Sequence, residues 1–152
     1  ITLSTVGITK QIMELADDDI KCKLAVSLHS ANDKTRSEIM PINKTNGLVS
    51  LKKALKYYCD RTRNKITFEY VLLKGINDSQ KDAQDLLRYA SDLPCKINLI
   101  EYNPIENMYF QKPSLDIITG FHHFLREKGL NVFFRKSRGE DISAACGQLA
   151  IK

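Results

Sequence analysis

The chain has no apolar run approaching the roughly 20 residues of a membrane-spanning helix, so none of its segments reads as a membrane span. No charged, apolar and small-residue leader precedes the first strand-like segment, and the expected compartment is the cytoplasm. Cysteine is sparse: the four residues Cys22, Cys59, Cys95 and Cys146 stand far apart, without the close pairs that build zinc and iron–sulfur sites. No metal ligand set is therefore assigned within this chain. Without a leader or a dense cysteine pattern a disulfide framework has no support, and reduced thiols are expected. No low-complexity linker or domain boundary interrupts the sequence.

What is present describes an ordinary globule. A length of 152 residues suits one domain with a sizeable core, and 43% hydrophobic with 27% charged residues argues against disorder. The net charge of +5 and a pI near 9.0 permit binding to RNA or DNA without requiring it.

Apolar, β-branched runs at 1–5, 22–28, 65–73, 96–102 and 130–135 read as strands, and amphipathic stretches at 9–16, 48–61, 79–91 and 114–128 read as helices. Alternation of this kind predicts an α/β fold with a parallel sheet. Asp78 and Ser114 are candidate helix caps, and Gly129 after Lys128 is a natural stop. Five such units fall short of the eight of a closed barrel, and the chain opens on Ile1 already inside a strand. The expectation is a partial (β/α) barrel, an excerpt whose upstream pieces are missing.

In parallel α/β sheets ligands gather at the carboxyl ends of the strands. The residues expected there are polar: Ser4-Thr5-Val6-Gly7, Ser27-Leu28-His29-Ser30, Gly75-Ile76-Asn77-Asp78, Tyr102-Asn103-Pro104 and Arg135-Lys136. Singly, each has a plainer explanation as a loop former, a turn or a satisfied core histidine. Jointly they point to one cavity. Near the end of the chain, Cys146 stands among Ala144, Ala145 and Gly147, with Arg135, Lys136 and Arg138 upstream. Small neighbours leave a sulfur open and nearby cations favour thiolate. An inert, packed thiol is the alternative.

Several blocks resemble, in order, the radical S-adenosylmethionine (SAM) adenine-C2 RNA methyltransferases, the RlmN group with its resistance relative Cfr. They are Thr2-Leu3-Ser4-Thr5-x-Gly7, Ser27-Leu28-His29, Asn32-Asp33, Pro41-Ile42-Asn43-Lys44, Glu69-Tyr70-Val71 and Asn77-Asp78. Pro94 to Ile100, Asn103-Pro104, Arg135-Lys136-x-Arg138-Gly139-x-Asp141-Ile142 and Ala144 to Leu149 complete the series. The resemblance implies that residues 1–152 are the C-terminal part of a radical SAM catalytic domain, formed by the later strand–helix units of its barrel. It further implies that Ser4, Ser27, Leu28, His29 and Asn103 contact SAM, and that Cys146 carries a methyl group as S-methylcysteine before transfer to adenine. A hydroxyl or carboxamide suits the first role, and a soft sulfur nucleophile the second.

The parent protein would hold a 4Fe-4S cluster, use a reductant, and act on ribosomal RNA, with transfer RNA as a further candidate. This chain lacks the Cys-x-x-x-Cys-x-x-Cys loop, the glycine-rich segment after it, the resolving cysteine and the N-terminal RNA-binding domain. The piece by itself is therefore expected to bind no cluster and to methylate nothing. Addition at C8 of adenine, as in the relative, is an alternative to C2. Two other classes compete: a basic RNA-binding module without catalysis, and an unrelated barrel enzyme using Glu69 or His29 as general base. Arg135, Lys136 and Arg138 are candidates to position RNA phosphate, against the alternative of a solvated basic face. His122-His123, Tyr57-Tyr58 and Phe133-Phe134 are expected to be structural.

Overall fold

The computed structural model describes residues 1–136 of the chain, so Arg138 and Cys146 lie outside the described residues. Among these residues a single five-stranded parallel sheet runs β1 (Thr2–Thr5), β2 (Lys23–Ser27), β3 (Ile66–Leu72), β4 (Cys95–Glu101) and β5 (Val132–Arg135). Spatial order equals chain order. Successive parallel strands joined by helical crossovers of one hand place all helices on the same face, as in a sector of a (β/α) barrel. The helices are α1 (Thr9–Asp17), α2 (Asp33–Ile39), α3 (Leu48–Thr62), α4 (Gln80–Ala90) and α5 (Leu115–Glu127).

Side-chain alternation along the strands sorts the sequence into two faces. On β3, Phe68, Tyr70 and Leu72 are fully buried against the helices, while Thr67, Glu69 and Val71 are only half-buried on the opposite face. The buried set joins Val26 of β2, Leu99 of β4 and Val132 of β5 in one continuous core. From the helices, α3 contributes Leu48, Leu51, Ala54, Leu55, Tyr58 and Cys59 at helical spacing, α4 adds Ala83, Leu86 and Ala90, and α5 adds Ile118, Phe121 and Leu125. Each fully buried large side chain stabilises by roughly 1.5–3 kcal/mol, so this one-sided core carries the fold. The other face is left open, and β1 at the sheet edge is largely exposed, Leu3 to 45%.

Two expectations need correcting in detail. Asp78 does not cap α4: Ser79 does, in a reciprocal capping box with Asp82, while Asp78 accepts a hydrogen bond from the Gly75 amide. Helix α2 and the 3-10 turn Pro41–Lys44 lie outside every stretch expected to be helical. Their only buried side chains are Arg36 and Asn43, so hydrophobic periodicity has nothing to report there. Phe133-Phe134, expected in core or edge packing, split across the sheet because neighbours in a strand face opposite ways. Phe134 packs on the core, whereas Phe133 is 49% exposed beside Lys96.

The other aromatic and histidine pairs are structural in the expected sense. Tyr58 is buried and donates to the Cys22 carbonyl, and the Tyr57 hydroxyl donates to Asp17. His122 sits against the Val132 carbonyl, and His123 pairs with Glu127.

Candidate functional site: a cleft at the carboxyl ends of the strands

The half-open face of the sheet leads, at the carboxyl ends of its strands, into a cleft of about 550 Å³. Ser4 of β1, Ser27 and His29 from β2, Glu69 and Val71 of β3, Asn103 after β4 and Arg135 of β5 all line it. Strand register explains the gathering: Ser27 stands opposite Glu69, Glu69 opposite Asn98, and Ile100 opposite Arg135, all on one face. Leu28 contributes no side chain, because alternation turns it into the core where it is fully buried. Lys136 is exposed and is not among the lining residues.

The turn after β2 is held from both sides. His29 adopts a left-handed backbone with φ of 57°, a strained conformation for a non-glycine residue that persists only where its surroundings fix it. Its Nδ1 accepts from the Val71 amide at 3.0 Å, and its carbonyl accepts from Asn77 Nδ2 at 2.7 Å. The same Asn77 amide donates to the Val71 carbonyl, and Asn77 Oδ1 accepts from the Leu73 amide. Buried Asn77 thus ties the end of β3 to the His29 turn. With Nδ1 occupied as an acceptor, the neutral ring carries its proton on Nε2. Burial, assisted by the nearby Arg36 cation, pushes the His29 pKa down to about 4, so the ring stays neutral at physiological pH. Nε2 has no partner among the described residues and is a donor for a ligand.

On the other side of that turn lies Arg36, fully buried. Its Nε donates to the Leu28 carbonyl, Nη1 to Asn43 Oδ1, and Nη2 to the Val6 and Ser27 carbonyls, all at 2.8–3.0 Å. One guanidinium therefore fixes the chain just after β1 and at the end of β2, the segments that carry Ser4, Ser27 and His29. Burial lowers its pKa, yet a guanidinium remains protonated. Nothing in the sequence distinguishes Arg36 from a surface arginine.

Three polar atoms of cleft residues are buried without a hydrogen-bond partner among the described residues: Glu69 Oε2, Tyr102 Oη and Asn103 Oδ1. Native interiors rarely tolerate such groups, and all three belong to residues that line one cleft. Glu69 had a legible signal, a carboxylate in mid-strand. Tyr102 was expected there among the strand-end residues, whereas Ile105, Met108 and Phe110, at the apolar end of the cleft, had no such signal. A second groove, about 590 Å³, lies on the helical side between α3 and α4. Its cations are largely matched there, Lys52 and Lys56 by Asp92, and Lys81 and Arg88 by Asp85. It has no orphaned buried atom, and the cleft is the better candidate. Among the described residues no cluster of three or more His, Cys, Asp or Glu side chains could hold a metal, and no helix is long and apolar enough to cross a membrane.

No family model matches the chain. It is 52% identical over its full length to the probable dual-specificity RNA methyltransferase RlmN of Cytophaga hutchinsonii, 51% to that of Flavobacterium johnsoniae and 50% to that of Christiangramia forsetii. It spans 42–44% of the length of those relatives. Among solved structures, a radical SAM methyltransferase from Sphaerobacter thermophilus superposes with a TM-score of 0.95 at 44% identity, over 97% of this chain and 43% of that one. A domain of the pyruvate-formate lyase-activating enzyme from Bacteroides vulgatus reaches a TM-score of 0.67 at 16% identity, over 88% of this chain and 80% of that domain, and shares the fold alone. By sequence and fold together, the chain matches over its whole length the RlmN-type radical SAM methyltransferases.

Proposed function

We propose that this chain is the C-terminal part of the catalytic domain of a radical SAM RNA methyltransferase, and that its cleft binds SAM. The observation that carries the reading is the meeting of Ser4, Ser27, His29 and Asn103 in one cleft whose wall also holds three orphaned buried polar atoms. A SAM molecule offers complementary groups: ribose hydroxyls and an adenine amine as donors, and a purine for the apolar end.

In this reading the hydroxyls of Ser4 and Ser27, the Nε2–H of His29 and the carboxamide of Asn103 orient the ligand. A neutral His29 can do so without repelling the sulfonium. When bound, SAM supplies the methyl group that Cys146 carries as an S-methyl thioether on its way to adenine. The ligands of the 4Fe-4S cluster lie outside this chain, as does the glycine-rich segment implied for the SAM amino group. Arg135 lines the cleft, and with Lys136 and Arg138 it supplies positive charge for RNA phosphate. The substrate is adenine of ribosomal RNA, methylated at C2, with transfer RNA as a second substrate, and the protein works in the cytoplasm with a cellular reductant.

The test uses the full-length protein after cluster reconstitution, with methyl-labelled SAM and ribosomal RNA. Expected are label in the RNA, 2-methyladenosine after nuclease digestion, and a methylated Cys146 peptide by mass spectrometry. Full activity with Cys146→Ser would overturn the carrier role, and 8-methyladenosine would replace C2 by C8.

A further inference from the structure

The groove on the helical side is walled by cations from both of its helices: Lys52, Lys53 and Lys56 of α3, and Lys81 and Arg88 of α4. Acids there are fewer. Asp92 pairs with both Lys52 and Lys56, and Asp85 with both Lys81 and Arg88, so each carboxylate is shared between two cations. The carboxylate of Asp33 is engaged by the Leu48 amide and by Asn43. Depth separates the signs on α4: the Asp85 side chain is 11% exposed, while those of Lys81 and Arg88 are 74% and 79% exposed. An incoming molecule therefore meets the cations first. Exposed ion pairs of this kind contribute little to folding, so stability does not account for five cations on one groove.

Topology places the groove where a long substrate would pass. In a strand–helix unit the helix runs back along its strand, so its first turn lies at the carboxyl end of the sheet. The groove's lining includes Ala31 and Asn32, just after the His29 turn, Leu48 and Val49 of the first turn of α3, and Lys81 of the first turn of α4. It thus starts at the face that carries the cleft and runs down the outside of the helices, with Lys81 and Arg88 about 10 Å apart along α4 at 1.5 Å per residue. A nucleic-acid backbone is a row of single negative charges, which lysine and arginine neutralise without reading sequence. We propose that the groove between α3 and α4 is an RNA-backbone site, which holds phosphates of the substrate away from the target adenine and apart from Arg135 in the cleft. This inference rests on the reading of the protein as an RNA methyltransferase.

The test is binding of ribosomal RNA to the reconstituted full-length protein over a series of salt concentrations, in wild type and in two triple variants. The groove variant is Lys53→Gln with Lys81→Gln and Arg88→Gln. The control, Lys96→Gln with Arg126→Gln and Lys128→Gln, removes the same charge at the start of β4 and the end of α5, on the opposite face of the sheet's ends. All six residues are exposed, so both variants should fold. Each phosphate contact contributes about 0.7–0.9 to the slope of log affinity against log salt. The groove variant should therefore lower the slope by about two and weaken binding at least about tenfold near 0.15 M salt, with SAM affinity and kcat at saturating RNA unchanged. The control should keep the wild-type slope, and Asp92→Asn, which removes a competing carboxylate, should steepen it. An equal fall in slope in both triple variants means that RNA senses net charge alone, and overturns the proposal. A wild-type slope in the groove variant overturns it in favour of an acidic protein partner, while the methyltransferase reading stands. Failure of the wild type to bind RNA overturns both.

Discussion

Replacement of Arg36 by lysine keeps the charge and removes the fork. The guanidinium makes four hydrogen bonds of 2.8–3.0 Å in three directions, to Leu28, to Asn43 and to the paired carbonyls of Val6 and Ser27. A single ammonium nitrogen cannot reach all of them. Placed at the Val6 and Ser27 carbonyls, it forfeits the bonds to Leu28 and Asn43. Two charge-assisted bonds at about 1.5–3 kcal/mol each give a loss of about 3–6 kcal/mol. The Leu28 carbonyl also accepts from the Ser30 amide, which favours the lower end of that range. Native-state amide exchange followed by mass spectrometry on the full-length protein reads the local effect, since it reports the opening free energy of each segment. At about 1.4 kcal/mol per decade, peptides covering residues 24–30 should exchange at least about 100-fold faster in R36K. Exchange within threefold of wild type would refute the idea that this buried fork holds the cleft turn together.

Other consequences are simpler to state. His29 binds its proton with a pKa of about 4 in the folded chain against an ordinary value of 6.5, so the unfolded chain takes up the extra proton; its contribution to stability is complete above about pH 6.5 and lost as pH falls towards 4. An imidazole resonance titrating near 6.5 in the native protein would contradict this. Ser79→Ala removes the α4 capping box and should destabilise that helix by about 1 kcal/mol, read as faster exchange in its first turn; unchanged exchange counts against the cap. Burial raises the thiols of Cys59 and Cys95 to about 11, so at pH 8 about one in a thousand is thiolate, and iodoacetamide should spare both until the protein is denatured. Rapid native labelling of either would show that the barrel wall opens there.

The sequence by itself carried the architecture. Runs of apolar residues at period two and at helical spacing report burial directly, and burial against one layer of helices is what holds β2 to β5 and α1, α3, α4 and α5 in place. It also carried most of the cleft, because Ser4, Ser27, His29 and Asn103 are strand-end residues, and strand ends in a parallel sheet meet at one edge whatever the loops do. Only tertiary structure decided the rest. Whether Leu28 offers a side chain or only backbone follows from which way the pleat faces, and whether Arg36 is a solvated cation or a fully satisfied buried hub follows from carbonyls up to 30 residues away. Helix α2 escaped detection for the same reason: its inward residue is that arginine, and a polar side chain satisfied by distant backbone leaves no periodic trace. The orphaned oxygen of Glu69 belongs with these, since a missing partner is a property of packed space, and one-dimensional order cannot display it.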